Sequence, residues 1–396
     1  MYLQSRTTRK QEMMTKRHTL LKSWLEQGTC FKMICGAGNE DLIQVKKLAF
    51  VYTLAGANIL DISANIGVVK AAKEGIDLAF SFANNEGIEI TDRPFLMVSI
   101  GMPGDHHVRK SYIDPHKCIG CTLCIPVCPT EAIPTDFISN LSVFKSLGGS
   151  LENEDQSKEI VVKDLCIGCG KCSALCPKSD IISYRHNDKE LRKLLPKCLE
   201  EGAELFELHA AVGDDEQILQ EWSLINEINS DNYNSICLDR LNLGNINLEH
   251  RIEEVKSVSE DRLIVQADGY PMSGGEDDYN TTLQAVACAD IINKKFNMVL
   301  NKKKVKTKSG KIKISSKKRY KEFSKVPIIL SGGTNSLTKE LADKAGVKIN
   351  GVAIGTFARE IVEDYISVPS FYENIGAIAS AYDAAKTLVG RNINEI

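Results

Sequence analysis

Long apolar runs are missing from this chain of 396 residues. The uncharged stretch from Leu48 to Leu60 falls short of the roughly 20 residues that an apolar helix needs to cross a bilayer, so no transmembrane segment is expected. The basic N-terminal residues MYLQSRTTRKQEMMTKRH have no apolar core of the kind that marks a secretory signal. They read as a flexible tail over 1–23, with an Arg-rich organelle-targeting segment as the alternative. Charge of one sign is also missing, since the formal net charge is −3, and no nucleic-acid partner is expected. Apolar material is sufficient: 43% hydrophobic and 26% charged residues make a soluble globular composition. The length suits one large domain carrying a smaller one.

Cysteine, in contrast, is abundant, with 13 residues. In a small secreted chain this would be a disulfide framework. Here eight of them fall into one repeated spacing, Cys118-x₂-Cys121-x₂-Cys124-x₃-Cys128-Pro129 and Cys166-x₂-Cys169-x₂-Cys172-x₃-Cys176-Pro177. That spacing is the ligand run of a 4Fe–4S cluster, and in two-cluster ferredoxins the fourth cysteine of each run serves the other cluster. The expected ligand sets are therefore Cys118, Cys121, Cys124 and Cys176 for one cluster, and Cys166, Cys169, Cys172 and Cys128 for the second. Gly120 and Gly168 let backbone amides approach the sulfides, and the prolines stop the chain from continuing as helix. Structural zinc sites use paired cysteines separated by a longer gap, which this run does not have. Free thiolates require a reducing compartment, so a cytoplasmic location is expected. The remaining Cys30, Cys35, Cys198, Cys237 and Cys288 read as small buried hydrophobes, with Cys35 singled out because it ends a strand before Gly36.

Around this repeat the pattern alternates between short apolar strands and amphipathic helices. Strands are expected at 31–35, 58–63, 94–101, 203–210, 235–240, 263–269, 326–333 and 349–355, each followed by a helical segment. Nearly all-apolar strands of this kind belong to a parallel sheet covered on both faces. Eight such units close a (β/α)8 barrel, and an open doubly wound sheet is the alternative. The expected organisation is a barrel over 24–110 and 185–396, with a two-cluster ferredoxin-like α+β domain inserted at 111–184. The stretch from Lys302 to Lys325 holds 11 Lys and one Arg against a single Glu. It reads as a solvated or disordered insertion at 301–325, with docking of an acidic partner as the alternative.

In a barrel the C-terminal strand ends form one mouth, where ligand sites collect. Those ends carry Cys35, Asp61, Asp105–His106–His107, His209, Asp239–Arg240, Asp268–Gly269, Ser331–Gly332–Gly333 and Gly355–Thr356. Glycines after the last two strands are where barrels often hold a phosphate group on backbone N–H groups. Gly332, Gly333, Gly355 and Thr356 are thus a candidate phosphate grip, and FMN a candidate occupant. The same glycines also serve tight turns without any ligand. SGGED at 273–277 is a Gly-rich acidic loop without an assigned role.

The segments FKMICGAGNEDL, LAFVYTLAGANILDISA, QADGYPMSGG and IGTFARE, together with the inserted cluster pair, resemble the cyanobacterial light-dependent period protein family, LdpA. The resemblance runs from about Trp24 onward, and the lysine-rich stretch looks like an expansion beyond the family's core. It implies an iron–sulfur redox sensor that conveys photosynthetic electron-transport state, and so light intensity, to the circadian clock. It also implies the same eight cysteine ligands, and protein partners in clock input or photosynthetic electron transport around the quinone pool. The competing reading is an iron–sulfur oxidoreductase, flavin-containing or not, with a substrate site at the barrel mouth.

Overall fold

The computed structural model describes residues 16–101, 110–136, 160–163, 165–166, 170–178, 180–185, 191–212, 215–270, 277–306, 312–320 and 326–393. Helix α1 (16–27) leads into β1 (Cys30–Gly36), α2 (Leu42–Leu54), β2 (Ile59–Ser63), α3 (Ile66–Glu86) and β3 (Phe95–Gly101). The chain then leaves this alternation for β4 (Lys110–Ile113), the short helix α4 (Lys171–Leu175) and β5 (Ile182–Arg185). It resumes with α5 (Leu191–Glu201), β6 (Leu205–His209), α6 (Asp215–Ile228), β7 (Asn234–Asp239), α7 (Arg240–Ser259), β8 (Leu263–Asp268) and α8 (Asp278–Ile292). After β9 (Met298–Lys306) and β10 (Ile312–Tyr320) come β11 (Ile328–Ser331), α9 (Thr338–Lys344), β12 (Gly351–Ile354), α10 (Thr356–Ile366) and α11 (Ile375–Ile393).

Eight of these strands form a closed barrel in the order β1-β12-β11-β8-β7-β6-β3-β2, every neighbouring pair parallel. The fold is a (β/α)8 barrel with the cysteine-rich module inserted between its third and fourth strands. Alternation along the strands sorts the side chains. Phe31, Met33, Ile236, Leu238, Val265 and Ala267 pack outward against the helices. Cys30, Ile59, Phe95, Leu205, Ile264 and Ile329 fill the interior at the N-terminal end. Helix starts are set by polar residues at the strand ends: Asp239 accepts a bond from Asn242 N to cap α7, and Asp41 caps α2 through Ile43 N and Gln44 N. Such caps satisfy backbone donors that the helix cannot.

The expected N-terminal tail ends earlier than 23. Residues 16–27 are helical, and Leu21 and Leu25 are buried against Cys30, Ile59 and Phe95, closing the bottom of the barrel. Arg17 holds the Glu204 carboxylate at 2.6 Å and lies over the Phe95 ring. Lys16, Arg17 and Lys22 thus belong to a helix that plugs the barrel floor, and residues 1–15 lie outside the described residues.

The lysine-rich stretch is a β-hairpin of β9 and β10 rather than a structureless insertion. In its register Lys304 faces Ile314, Lys303 faces Ser315, Lys302 faces Ser316 and Val305 faces Lys313. In this register no Lys is paired with another Lys. Among the described residues no helix is long and apolar enough to cross a membrane.

Candidate functional site

β4 and β5 pair antiparallel from Lys110↔Arg185 to Ile113↔Ile182 and form the base of the cysteine module. Its core joins Ile113, Ala132, Ile133, Val161, Ile181 and Ile182 to the half of each motif that is buried: Cys118, Cys124, Cys166 and Cys172. One pocket in the module is lined by Cys118, Cys121, Cys124 and Cys176, with Ile113, Ile119 and Leu123 around them. The fourth sulfur of this pocket thus comes from the second motif. Gly120, at φ +71°, takes the left-handed turn that carries the chain between the first two of these cysteines. Burial, with Cys118, Cys172 and Cys121 close by, pushes the Cys124 thiol up to about 11. Several sulfurs lining one pocket would need a cation to become thiolates, and the iron of a cluster would supply it.

The second set is held differently. Ser111 N donates to Cys166 Sγ at 3.3 Å, Ser111 Oγ lies 3.5 Å from Cys172 Sγ, and Ala132 N donates to Cys128 Sγ at 3.2 Å. Backbone N–H groups aimed at sulfur are what a thiolate-ligated cluster requires of its surroundings. Cys169 and Gly168 lie outside the described residues. The donor chemistry fits 4Fe–4S clusters at both places.

One residue ties this module to the barrel. Lys110 is 6% exposed, and its Nζ donates to the carbonyls of Gly38 at 2.5 Å and Cys166 at 2.7 Å. Gly38 belongs to the loop that follows β1, on the mouth side of the barrel. In the same loop Glu40 Oε1 accepts from Ser63 Oγ of β2 at 3.4 Å.

Inside the barrel the residues at the middle of the strands are polar. Lys32 Nζ meets Glu207 Oε2 at 2.6 Å and Asp61 Oδ2 at 2.9 Å, all three at most 1% exposed. Ser99 Oγ donates to Asp61 Oδ1 at 2.5 Å and Ser235 Oγ to Glu207 Oε2 at 2.7 Å. Burial pushes the Lys32 ammonium toward losing its proton, but Asp61 and Glu207 together outweigh it and hold the group charged. On Asp61 burial wins: its carboxyl is raised above the usual range, with Glu207 adding to the rise and Lys32 opposing it.

Of the expected mouth residues, the structure brings Asp61 and His209 together around Glu207, with His209 Nε2 3.6 Å from Glu207 Oε1. Asp268 accepts from Cys237 Sγ at 3.0 Å, and Asp239 is spent on capping α7. Cys35 faces the helical layer, not the mouth, and its thiol is pushed up to about 12 by burial. Arg240 points away along α7 to Asn245. Asp105, His106 and His107 lie outside the described residues, as does SGGED up to Glu276, while Asp277 caps α8. Lys32, Ser99, Glu207, Ser235, Cys237 and Gln266 were not among the expected site residues. A charge or amide inside an otherwise apolar strand (FKMIC, LFELH, LIVQAD) was the signal that marked three of them.

The four residues of the phosphate grip have local tasks. Gly332, at φ +72°, and Gly269 approach so closely that a Cβ on Gly332 would lie 2.6 Å from Gly269 O, so these glycines let the ends of β8 and β11 touch. Gly333 O accepts from Thr282 Oγ. Gly355 precedes α10, and Thr356 Oγ accepts from Arg359 Nη2 at 3.2 Å, while Arg359 Nη1 donates to Ile34 O. This geometry gives FMN no support.

Fold and site together define an iron–sulfur protein of the dicluster type built on a (β/α)8 barrel. The 4Fe-4S dicluster domain matches residues 117–180, and a second 4Fe-4S dicluster model matches residues 158–203. Light dependent period A of Synechococcus elongatus is 39% identical over 111 residues, covering 28% of this chain and 30% of that protein. The chain is thus an iron–sulfur protein similar to Light dependent period A, and the matched stretch spans less than a third of that relative. Similar solved structures include the YdjI aldolase from Escherichia coli K12, at TM-score 0.42 and 7% identity over 94% of this chain and 97% of that one. Fructose-bisphosphate aldolase from Campylobacter jejuni gives 0.38 and 10% over 93% and 90%. The fold assignment rests on the strand order and not on these scores.

Proposed function

We propose that the chain is an iron–sulfur redox sensor that conveys photosynthetic redox state, and with it light intensity, to the circadian clock. The observation that carries this reading is the paired cysteine module in a chain similar to Light dependent period A. Cys118, Cys121, Cys124 and Cys176 hold one 4Fe–4S cluster, and Cys166, Cys169, Cys172 and Cys128 hold the other. When bound, such clusters supply one-electron chemistry at potentials tuned by hydrogen bonds and exposure. Cys118, Cys124, Cys166 and Cys172 are buried, Ser111 lies against Cys166 and Cys172, and Cys121 is exposed. Exposed Cys121 suits electron entry there, and Cys166, held by Ser111 and Lys110, suits a readout.

The readout runs through Lys110, which holds the Cys166 carbonyl and the Gly38 carbonyl at once. A change of charge or ligation at Cys166 alters that hold and so the loop at the barrel mouth. The partners are proteins of clock input or photosynthetic electron transport around the quinone pool, in the cytoplasm. The polar barrel interior favours a second reading, an iron–sulfur oxidoreductase acting on a small molecule at the mouth.

The test is made in cells that carry the gene and a clock. Cys118→Ser with Cys166→Ser should abolish the dependence of free-running period on light intensity while the rhythm itself persists. Unchanged light dependence in cells that accumulate this variant as sole copy rules the sensor reading out.

A further inference from the structure

The inner face of the barrel changes character along its axis. Above the apolar filling at the N-terminal end comes a layer of Lys32, Asp61, Ser99, Glu207, Ser235 and Gln266, each at most 1% exposed. Packing alone does not call for this layer. A buried ion pair can be exchanged for apolar residues of similar volume without loss of stability, and often with a gain. Polar groups kept at that cost mark a site.

The donors and acceptors of the layer do not balance. Lys32 Nζ is directed at Glu207 Oε2, Asp61 Oδ2 and, at 3.6 Å, Met97 Sδ. Ser99 and Ser235 donate to the same two carboxylates. Among the described residues Glu207 Oε1 and Gln266 Oε1 have no hydrogen-bond donor, and the former lies 3.6 Å from the His209 imidazole. One ammonium stands against two carboxylates in the layer, Asp239 and Asp268 add acidic groups on this side of the mouth, and the Lys110 ammonium there is taken up by the Gly38 and Cys166 carbonyls. Arg359, beside β1 and β12, is occupied by Ile34 O and Thr356 Oγ.

We propose that this layer binds a small organic amine in its protonated form, with Glu207 Oε1 and Gln266 Oε1 accepting its N–H groups. The missing parts are N–H donors and positive charge, and a protonated amine brings both. A carboxylate or phosphate would add to a buried negative excess. A polyol would bring donors without charge. A divalent cation does not suit the place, because Lys32 already occupies the space between the carboxylates. Outside the cysteine module, the described side chains close enough together for a single metal ion are Asp215, His250 and Glu254, elsewhere on α6 and α7. The Lys110 tie places the barrel mouth next to Cys166, so the amine would bind on the side of the barrel that faces Cys166. The proposal stands whether or not the clock reading does.

The test uses the full chain, purified anaerobically with its clusters, and the probes ethylenediamine, guanidinium, glycerol and acetate. Saturation-transfer NMR and thermal shift should show binding of the two cations, weaker binding of glycerol and none of acetate. Glu207→Gln and Gln266→Met should each weaken cation binding by at least about tenfold while the cluster absorption is retained. Gln266→Met leaves the ion pairs intact and carries the test if Glu207→Gln does not fold. Acetate or glycerol binding as well as the cations, cations binding Gln266→Met as tightly as the parent, or no cation signal at all overturns the proposal.

Discussion

Lys110 and Cys166 meet through a charge-assisted hydrogen bond of 2.7 Å from Nζ to the carbonyl oxygen. The same ammonium reaches Gly38 of the barrel, so one buried cation joins the cysteine module to the loop over the mouth. Buried donors and acceptors of this kind are expensive to leave unmade, which makes the joint testable.

Lys110→Ala leaves two buried carbonyls without their donor. It should lower stability by about 1–3 kcal/mol and shift the reduction potential of one cluster while the other holds. Chemical denaturation and EPR-monitored titration check this, and unchanged stability with unchanged potentials would count against the joint.

Lys32→Met removes the only cation from between Asp61 and Glu207. Breaking a buried ion network from one side costs roughly 3–5 kcal/mol. The loss should shrink as pH falls, because the Asp61 carboxyl, raised by burial, can then take up a proton. Denaturant unfolding at pH 5 and pH 8 measures it, and a loss that does not depend on pH contradicts the assigned charges.

Asp61 has a carboxyl raised in the folded chain, mainly by burial. A raised group adds stability below its ordinary value and loses that contribution as pH climbs through the folded one. Lys32 is also raised, but its contribution persists below the ordinary lysine value and is lost only on the alkaline side. Asp61→Asn should therefore narrow the stability difference between pH 5 and pH 8. An unaltered pH profile would show that Asp61 titrates normally.

Crossed ligation predicts which cysteines behave alike. Cys176→Ser should perturb the same EPR signal as Cys118→Ser, and Cys128→Ser the same signal as Cys166→Ser. If Cys176→Ser instead matches Cys166→Ser, each motif holds its own cluster.

The eight barrel strands were legible because a parallel strand buried on both faces is apolar along most of its length, as in PFLMVSIG and VPIILSGG. That same property hid the site. With both faces buried, periodicity does not say which residues point inward, so Asp61 was read as a strand end although it lies at the middle of β2, and Lys32 and Glu207 were passed over. Cys35 ends its strand but faces the helices, because alternation and not position at the end sets its side. The plug helix was missed for a different reason. Arg17 and Lys22 surround Leu21 and Leu25, and a basic context concealed a two-residue apolar stripe that only the barrel floor explains. The lysine-rich hairpin depends on which residue faces which across β9 and β10, and composition carries no register.

The central claim is that the inserted module holds two four-iron clusters that exchange electrons. The direct measurement is iron and acid-labile sulfide per chain after anaerobic purification, followed by redox titration under EPR. The expected result is enough iron and sulfide for two 4Fe–4S clusters, with the spectrum of a magnetically interacting pair on full reduction. Zinc in place of iron, or iron that no potential reduces or oxidises, would contradict the account.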